Sequence, residues 1–437
     1  MEDLHHFLEQ ITPYLIEKRR RFHQYPEVAW TEYVTTYEII KELEELDFTI
    51  TYGKDIHVSE ERMGLPTEEQ FKLHEKRARD YGVPEEVLTN IANGHTGVIA
   101  KMDTKTSGKH TVLRFDIDAL PIHEKSDPAH FPSEFHFSSK INGNMHACAH
   151  DGHTSIGLGV AKWLHLNKNL LTGKFTLIFQ PAEEGGRGAK PIVEKGWLDD
   201  ADYFLTGHIG IHSIPVGHIA ATTTNFLAST KMDITFKGKS AHAGLEPNAG
   251  KNALLASATA SLQLSAIPRH SEGATRINIG KLEAGSGRNV IPDLAKMQIE
   301  TRGQTTSLNE DYMVGEATRI IKASAAMYNV KEEIEIVGSA PTASCNQEWI
   351  TIMKESCKDS HFVTKVIDEL PLGASEDATF MMNRVQEKGG LATYLVFGSP
   401  LKEGHHHQAF DFDENVLKVA LETIALTLNN IHRKVGG

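Results

Sequence analysis

The sequence predicts an α/β protein: a doubly wound, mostly parallel sheet with an inserted ferredoxin-like α+β domain. Three observations point there. Nearly continuous apolar runs such as Phe175-Thr176-Leu177-Ile178-Phe179 read as strands buried on both faces of a parallel sheet. Helical periodicities separate those runs. Near residue 226 the pattern changes, and Met232, Ile234 and Phe236 alternate with Asp233, Thr235 and Lys237, as in a strand with one solvated face.

In chain order, Leu4, Phe7, Leu8, Ile11 and Leu15 recur at helical spacing over 2–22, and Tyr25-Pro26-Glu27 ends that helix. A second helix covers 31–46, with Val34, Tyr37, Ile40 and Leu43 on one stripe. Residues 54–95 are charged and lack strand alternation; Thr67-Glu68-Glu69 reads as a helix start, so this is a small helical insert. Strands follow at 97–100 and 112–115, a helix at 153–166, then strands at 175–179 and 203–206. The strand at 232–236, a helix at 251–266, strands at 276–280 and 297–300, a helix at 308–327 and a strand at 333–336 give βαββαβ, the ferredoxin-like order. The α/β pattern resumes near 345, with a late strand at 393–397. The expected division is an outer domain of 1–225 plus 341–437 and an inserted domain of 226–340.

A chain of 437 residues is too long for one ordinary core, in keeping with two domains. Its net charge of −13 argues against nucleic acid or an anionic membrane as the main partner. Three cysteines, Cys148, Cys345 and Cys357, form no disulfide framework and suit a reducing compartment. The N-terminus, Met1-Glu2-Asp3-Leu4-His5-His6, lacks the apolar run of a signal peptide, and no window reaches about 18 uninterrupted apolar residues. The expected location is the cytoplasm.

Ligands of open α/β sheets bind beyond the carboxyl ends of the strands, and polar residues gather there. The strand at 112–115 runs into Asp116-Ile117-Asp118, that at 175–179 into Gln180-Pro181-Ala182-Glu183-Glu184, that at 203–206 into Gly207-His208, and that at 393–397 into Gly398 and then His405-His406-His407. Met145-His146-Ala147-Cys148-Ala149-His150-Asp151-Gly152-His153 precedes a helix of the same unit. Cys148 and His150, two apart, can converge on one ion, and thiolate and imidazole suit a borderline transition metal. Of adjacent Glu183 and Glu184, one carboxylate can bind metal while the other accepts a proton from water; the bland alternative is a solvated acidic turn. Asp118 is a candidate to hold a histidine's tautomer, or else caps a helix. Of the three consecutive histidines, one or two can reach a single site. Arg187, in Gly185-Gly186-Arg187-Gly188, and Arg288 are flanked by residues that permit close approach, and both could pair with an acidic substrate side chain; otherwise they are surface arginines.

The chain resembles the aminoacylase and carboxypeptidase family of di-metal peptidases, in its amidohydrolase (hippurate-hydrolase-like) branch. Five stretches carry the resemblance: Arg114-Phe115-Asp116-Ile117-Asp118-Ala119-Leu120-Pro121, residues 145–153, residues 180–185, Ser240-Ala241-His242-Ala243-Gly244 and Asn289-Val290-Ile291-Pro292. The resemblance implies a metal-dependent amidohydrolase that cleaves N-acyl or N-aroyl amino acids with two divalent ions, Mn2+ or Zn2+. It implies Cys148, His150, Glu184, His208 and His406 as metal ligands, with Cys148 bridging, and Glu183 as general base. It implies that His242 completes the site of a second copy, and that Asn289 and Arg302 hold the carboxylate of the released amino acid. It makes 226–340 a dimerisation (lid) domain, hence a homodimer, or a complex with a related second subunit. A closer match at Arg62-Met63-Gly64-Leu65-Pro66, Gly285-Ser286-Gly287-Arg288-Asn289 and Phe410-Asp411-Phe412-Asp413-Glu414 implies p-aminobenzoyl-glutamate as substrate. The alternatives are an aminoacylase or dipeptidase for neutral substrates, and a silent binding protein of the same fold. One departure stands out: Ala149 occupies a position that is usually Gly in the branch, and alanine is strained there if the backbone needs φ > 0.

Overall fold

The computed structural model describes residues 4–434. It contains twelve strands: β1 (Thr49–Tyr52), β2 (Val98–Asp103), β3 (His110–Asp116), β4 (Lys174–Gln180), β5 (Tyr203–Ile209), β6 (His218–Thr224), β7 (Ala228–Lys237), β8 (Thr275–Ala284), β9 (Leu294–Gly303), β10 (Lys331–Ala340), β11 (Lys365–Pro371) and β12 (Leu391–Phe397). They form two compact units.

The first unit holds an eight-stranded sheet in the order β1-β2-β4-β3-β5-β12-β6-β11. The central four strands, β4, β3, β5 and β12, are mutually parallel, so their carboxyl ends, at Gln180, Asp116, Ile209 and Phe397, share one edge. β2 and β6 enter antiparallel to their inner neighbours. Side chains alternate across the sheet. Phe115, Leu177, Phe179 and Leu205 join the core built with helices Leu4–Gln24, His150–Asn167 and Val416–His432. Arg114, Gln180 and Thr206 have the opposite parity, and Arg114 and Gln180 meet Asp377 at the start of helix Ala378–Glu387. Helices thus cover both faces.

The helix expected over 2–22 is Leu4–Gln24, its first two positions lying outside the described residues. In the 54–95 insert, helix Glu68–Tyr81 starts at Thr67, whose hydroxyl accepts from Gln70 N–H while the Gln70 side chain accepts from Thr67 N–H. The insert packs Phe71, Leu88 and Ile91 against Trp30 and Tyr33 in a satellite core. Three strands escape the periodicity argument. β1 has four residues, none of them buried; β6 is rich in threonine and alanine; β11 is a charged edge strand that ends on Pro371.

The second unit spans Asn225–Thr342 and Gly373–Glu376. Its sheet, β10-β7-β9-β8, is antiparallel throughout, the ferredoxin-like order. Helices Ala253–Ser265 and Gly315–Met327 cover one face over Met232, Ile234, Phe236, Met297 and Ile299. The helix expected over 308–327 is π-helical across Leu308–Val314, where the buried Asn309 side chain donates to Thr230 Oγ1 at 2.8 Å. Residues 373–376 fall with this unit, outside the expected 226–340, because Leu227 N–H donates to the Ala374 carbonyl at 3.0 Å and Gly373 N–H to the Asn225 carbonyl at 3.2 Å.

Candidate metal centre

The shared strand edge collects the cluster. Cys148, His150 and His208 place ligand atoms within 4.8 Å of one another; so do Cys148, Glu184 and His406, and so do His150, Glu183 and Glu184. Cys148 belongs to two of these triads, so the other four expected ligands gather around its sulfur. Cys148 Sγ lies 3.4 Å from His208 Nε2, and Glu184 Oε1 lies 3.4 Å from His406 Nε2.

Each of these side chains is held by a local feature. His150 opens helix His150–Asn167, and Ala149 before it is left-handed at φ 66. His150 Nδ1 donates to the Asp118 carbonyl at 2.9 Å, and His208 Nδ1 to the Ile209 carbonyl at 2.8 Å. With Nδ1 engaged on a carbonyl, Nε2 is the ring atom that each histidine has left to offer a metal. The Asp118 carboxylate accepts from Glu183 N–H at 3.1 Å and Glu184 N–H at 2.9 Å, and its Oδ1 lies 3.3 Å from His150 Nδ1. It therefore braces the glutamate turn and capping plays no part. Of the histidine run, His406 N–H donates to the Ala147 carbonyl at 2.8 Å, which joins its loop to the cysteine loop. His405 packs edge-on against His208, with ring centroids 4.9 Å apart, and His407 is exposed near Glu403.

The electrostatics favour a cation. Burial, then the Glu184 charge, pushes the Cys148 thiol up. Hydrogen bonds to Cys148 and Glu184 raise His406 to about 10. Burial, with His153 and His405 nearby, holds His208 well below its ordinary value, so it stays neutral. Glu184 Oε1 is buried, and its nearest cationic partner is His406 Nε2 at a long 3.4 Å. One thiolate, three imidazoles and a carboxylate with an unsatisfied oxygen fit divalent cations of borderline character.

His153 is not an available ligand. Its Nδ1 lies 2.6 Å from Asp116 Oδ1, and its Nε2 accepts from Ile209 N–H at 3.0 Å. Sequence reasoning assigns Asp116 no role. Burial alone would raise its pKa, but His150, His153 and Arg114 hold it well below the usual carboxylate range. Arg114 donates to Asp116 at 2.7 Å and to Asp377 at 3.1 Å, and Asp377 also accepts from Gly188 and Ala189 N–H at 3.1 and 2.9 Å. Beneath the cysteine loop, Arg19 Nε lies 3.0 Å from Asp151, and its other nitrogens reach Asp411 and Glu414. The only sequence signal for these residues is a charge on an otherwise apolar stripe, as with Arg19.

Arg187 lies beside the glutamate turn. Its Nη1 donates to the Gly64 carbonyl at 3.3 Å, and Gly185, at φ 93, takes a backbone conformation that L side chains rarely adopt, with its missing Cβ leaving room for the arginine. Gly64 belongs to the insert, where Trp30 Nε1 donates to the Met63 carbonyl at 2.8 Å. In the second unit, residues 242 and 290 form a bridge and Ala243 N–H donates to the Asn289 carbonyl at 3.0 Å, which brings the His242 and Asn289 segments together. His242 Nδ1 accepts from Gly244 and Leu245 N–H at 3.2 and 3.1 Å, so the proton sits on Nε2. Arg288 is exposed, and Arg302 forks onto Glu300 of its own strand at 3.0 and 3.1 Å.

Comparison with known proteins agrees with this chemistry. Residues 112–430 match the model of peptidase family M20/M25/M40. The indole-3-acetyl-aspartic acid hydrolase of Enterobacter agglomerans is 43% identical over 428 residues, 98% of each chain. One of the subunits of the p-aminobenzoyl-glutamate hydrolase of Escherichia coli is 43% identical over 432 residues, again 98% of each. The crystal structure of an aminobenzoyl-glutamate utilization protein from Klebsiella pneumoniae superposes with a TM-score of 0.84 at 38% identity, covering 98% of both chains. The chain belongs to peptidase family M20/M25/M40 and is a metal-dependent amidohydrolase.

Proposed function

We propose that the protein hydrolyses the amide bond of N-aroyl acidic amino acids, with p-aminobenzoyl-glutamate, cleaved to p-aminobenzoate and glutamate, as the first candidate. The observation that carries the reading is a second glutamate: four side chains that can bind metal lie around Cys148, and Glu183 stands beside one of them, Glu184, where a proton carrier is needed. Two relatives that are each 43% identical over 98% of the chain are named for aromatic acyl conjugates of aspartate and glutamate.

Cys148, His150, Glu184, His208 and His406 would hold two divalent cations. Bound there, such ions supply Lewis acidity at the scissile carbonyl and a lowered pKa for the attacking water. Glu183 takes the proton from that water and passes it to the leaving nitrogen. His242, contributed by a second copy, donates a hydrogen bond from Nε2–H to the developing oxyanion, a role that its Nδ1 acceptor bonds support. Asn289 and Arg302 hold the α-carboxylate, for which Arg302 exchanges or shares Glu300. Arg187, steadied by the Gly64 carbonyl, and Arg288 pair with the substrate's acidic side chain. The thiolate leans toward zinc and the family resemblance toward manganese.

The homodimer would form along β8, the sheet edge in the second unit, flanked by exposed Leu254, Leu255, Leu262, Leu282 and Leu294; a different but related chain is the other partner this edge would accept. Three free cysteines support a reducing, cytoplasmic setting. No helix of the described residues is long and apolar enough to cross a membrane.

The test is a panel of p-aminobenzoyl-glutamate, indole-acetyl-aspartate and N-acetyl-leucine with manganese- or zinc-loaded protein. The acidic conjugates should lead by about 100-fold in kcat/KM, and Glu183→Gln should remove about 10²–10⁴ of kcat. Arg187→Ala and Arg288→Ala should raise KM for the acidic conjugates alone. A lead for N-acetyl-leucine would make the protein a neutral aminoacylase, and full activity in Glu183→Gln would overturn the reading.

A further inference from the structure

Glu32 precedes helix Tyr33–Glu44, 150 positions from the glutamate turn it touches. Its side chain is fully buried, and no lysine or arginine stands within ion-pair distance among the described residues. Oε1 accepts from Ala182 N–H at 2.8 Å and Oε2 from the Thr96 hydroxyl at 2.6 Å. Ala182 is buried and left-handed at φ 54, and Glu183 and Glu184 follow it. Their N–H groups point at the two oxygens of Asp118. Three successive N–H groups therefore converge on two buried carboxylates. This is the concave backbone shape that elsewhere binds anions, here filled by the protein's own side chains.

Such a grouping is costly on both sides. An unpaired buried carboxylate is unfavourable, and burial together with the nearby Asp118 charge raises the Glu32 pKa well above its ordinary value. A non-glycine residue in the left-handed region persists only where its surroundings over-determine it. Each explains the other: the carboxylate fixes the strained residue, and the strained residue aims the two that follow.

We propose that Glu32 is a positioning residue for hydrolysis: by gripping Ala182 it sets the turn that aims Glu183 at the attacking water and Glu184 at the metal. This rests on the roles given to Glu183 and Glu184 above and adds a residue distant from both in the chain.

The experiment compares Glu32→Gln, Glu32→Asp and Glu32→Ala by kcat and KM on p-aminobenzoyl-glutamate, and by cobalt(II) affinity and visible spectrum without substrate. Gln keeps an acceptor at the right reach, so kcat should stay within about 5-fold of wild type. Asp, too short to reach Ala182, and Ala should lower kcat and cobalt affinity by about 10–100-fold, the usual range for residues that orient ligands, and alter the cobalt bands while KM moves less than about 3-fold. Wild-type behaviour of Glu32→Ala, or equal losses in Gln and Ala, overturns the proposal. Should Ala and Asp fail to fold, Thr96→Val removes only the hydroxyl donor to Oε2. It should then lower kcat about 3–10-fold at constant KM, and an unchanged kcat overturns the proposal. If wild type binds cobalt but hydrolyses no member of the panel, the functional reading fails, while the cobalt spectra still decide whether Glu32 sets the turn.

Discussion

The two units carry their charges in opposite ways. In the first, Arg19, Arg114, Asp116 and Asp151 are at most 1% exposed, and each has several partners. In the second, the Arg302–Glu300 pair keeps 33% and 25% of its side-chain exposure, and Lys237–Glu333 keeps 52% and 46%. Burying an ion costs several kcal/mol unless its partners are nearly complete, whereas an exposed pair contributes about 0–1 kcal/mol. The buried set therefore needs a reason, and its location gives one. Arg114 leads through Asp116 to His150 and His153. Arg19 joins Asp151, next to His150, to Asp411 and Glu414, which follow His406 in the chain. Ionic groups are buried in the first unit, where loops at the metal centre must be fixed, and stay solvated along the sheet of the second.

Arg19→Met is the most direct way to break that contrast. It leaves Asp151, Asp411 and Glu414 without their shared cation and should cost about 3–5 kcal/mol in urea unfolding. Glu300→Ala, in the second unit, should cost under about 1 kcal/mol. Similar losses in the two variants would remove the distinction between the units.

A pH series sharpens it. His23 is buried between Asp151, at 2.9 Å, and Glu124, at 3.0 Å. Burial alone would lower its pKa, but the hydrogen bonds to Asp151 and Glu124 lift it to about 9 from an ordinary 6.5. A folded-state value above the unfolded one means the imidazolium stabilises fully below about pH 6.5, and that contribution disappears as pH rises through 9. Wild type should therefore lose up to roughly 3 kcal/mol more than His23→Gln between those limits. Parallel stability curves for the two proteins would show that His23 is not charged in the folded state.

Asp118→Ala comes next. It withdraws the acceptor shared by Glu183 and Glu184 N–H, and divalent-metal affinity measured by chelator competition should fall about 10–100-fold. His242→Ala, in the other unit, should leave that affinity unchanged.

The legible part of the molecule was its periodicity and its strand ends. Apolar runs located the parallel strands, and the polar residues after them located the cluster, because both signals are local. The bracing was not legible. Arg114 meets Asp377 across 263 positions and Arg19 meets Glu414 across 395, and no spacing rule links residues so far apart. Spacing along the strand end leaves three adjacent histidines open, and only the family resemblance singles out His406. In the structure a left-handed His406, its N–H tied to Ala147, is the one that reaches Glu184.

Backbone strain divides the units as charge does. Among the described residues of the second unit, the non-glycine residues with positive φ are Asn225 and Asn329, a type that tolerates that region. At the metal centre they are Ala149, Ala182 and His406. Ala149 thus does occupy a conformation that favours glycine, at a cost of about 1 kcal/mol. Ala149→Gly would relieve that cost but add about 0.5–1 kcal/mol of chain entropy on unfolding, so stability should change by less than about 1 kcal/mol. Metal affinity should stay level too, since Asp118 and the Ile209 carbonyl, not residue 149, orient His150 and His208. Asn329→Gly should likewise be near neutral. A gain of about 2 kcal/mol or more in Ala149→Gly alone, beyond what one left-handed residue stores, would mean that the cysteine loop, and not the buried charge around it, is where the first unit stores its strain.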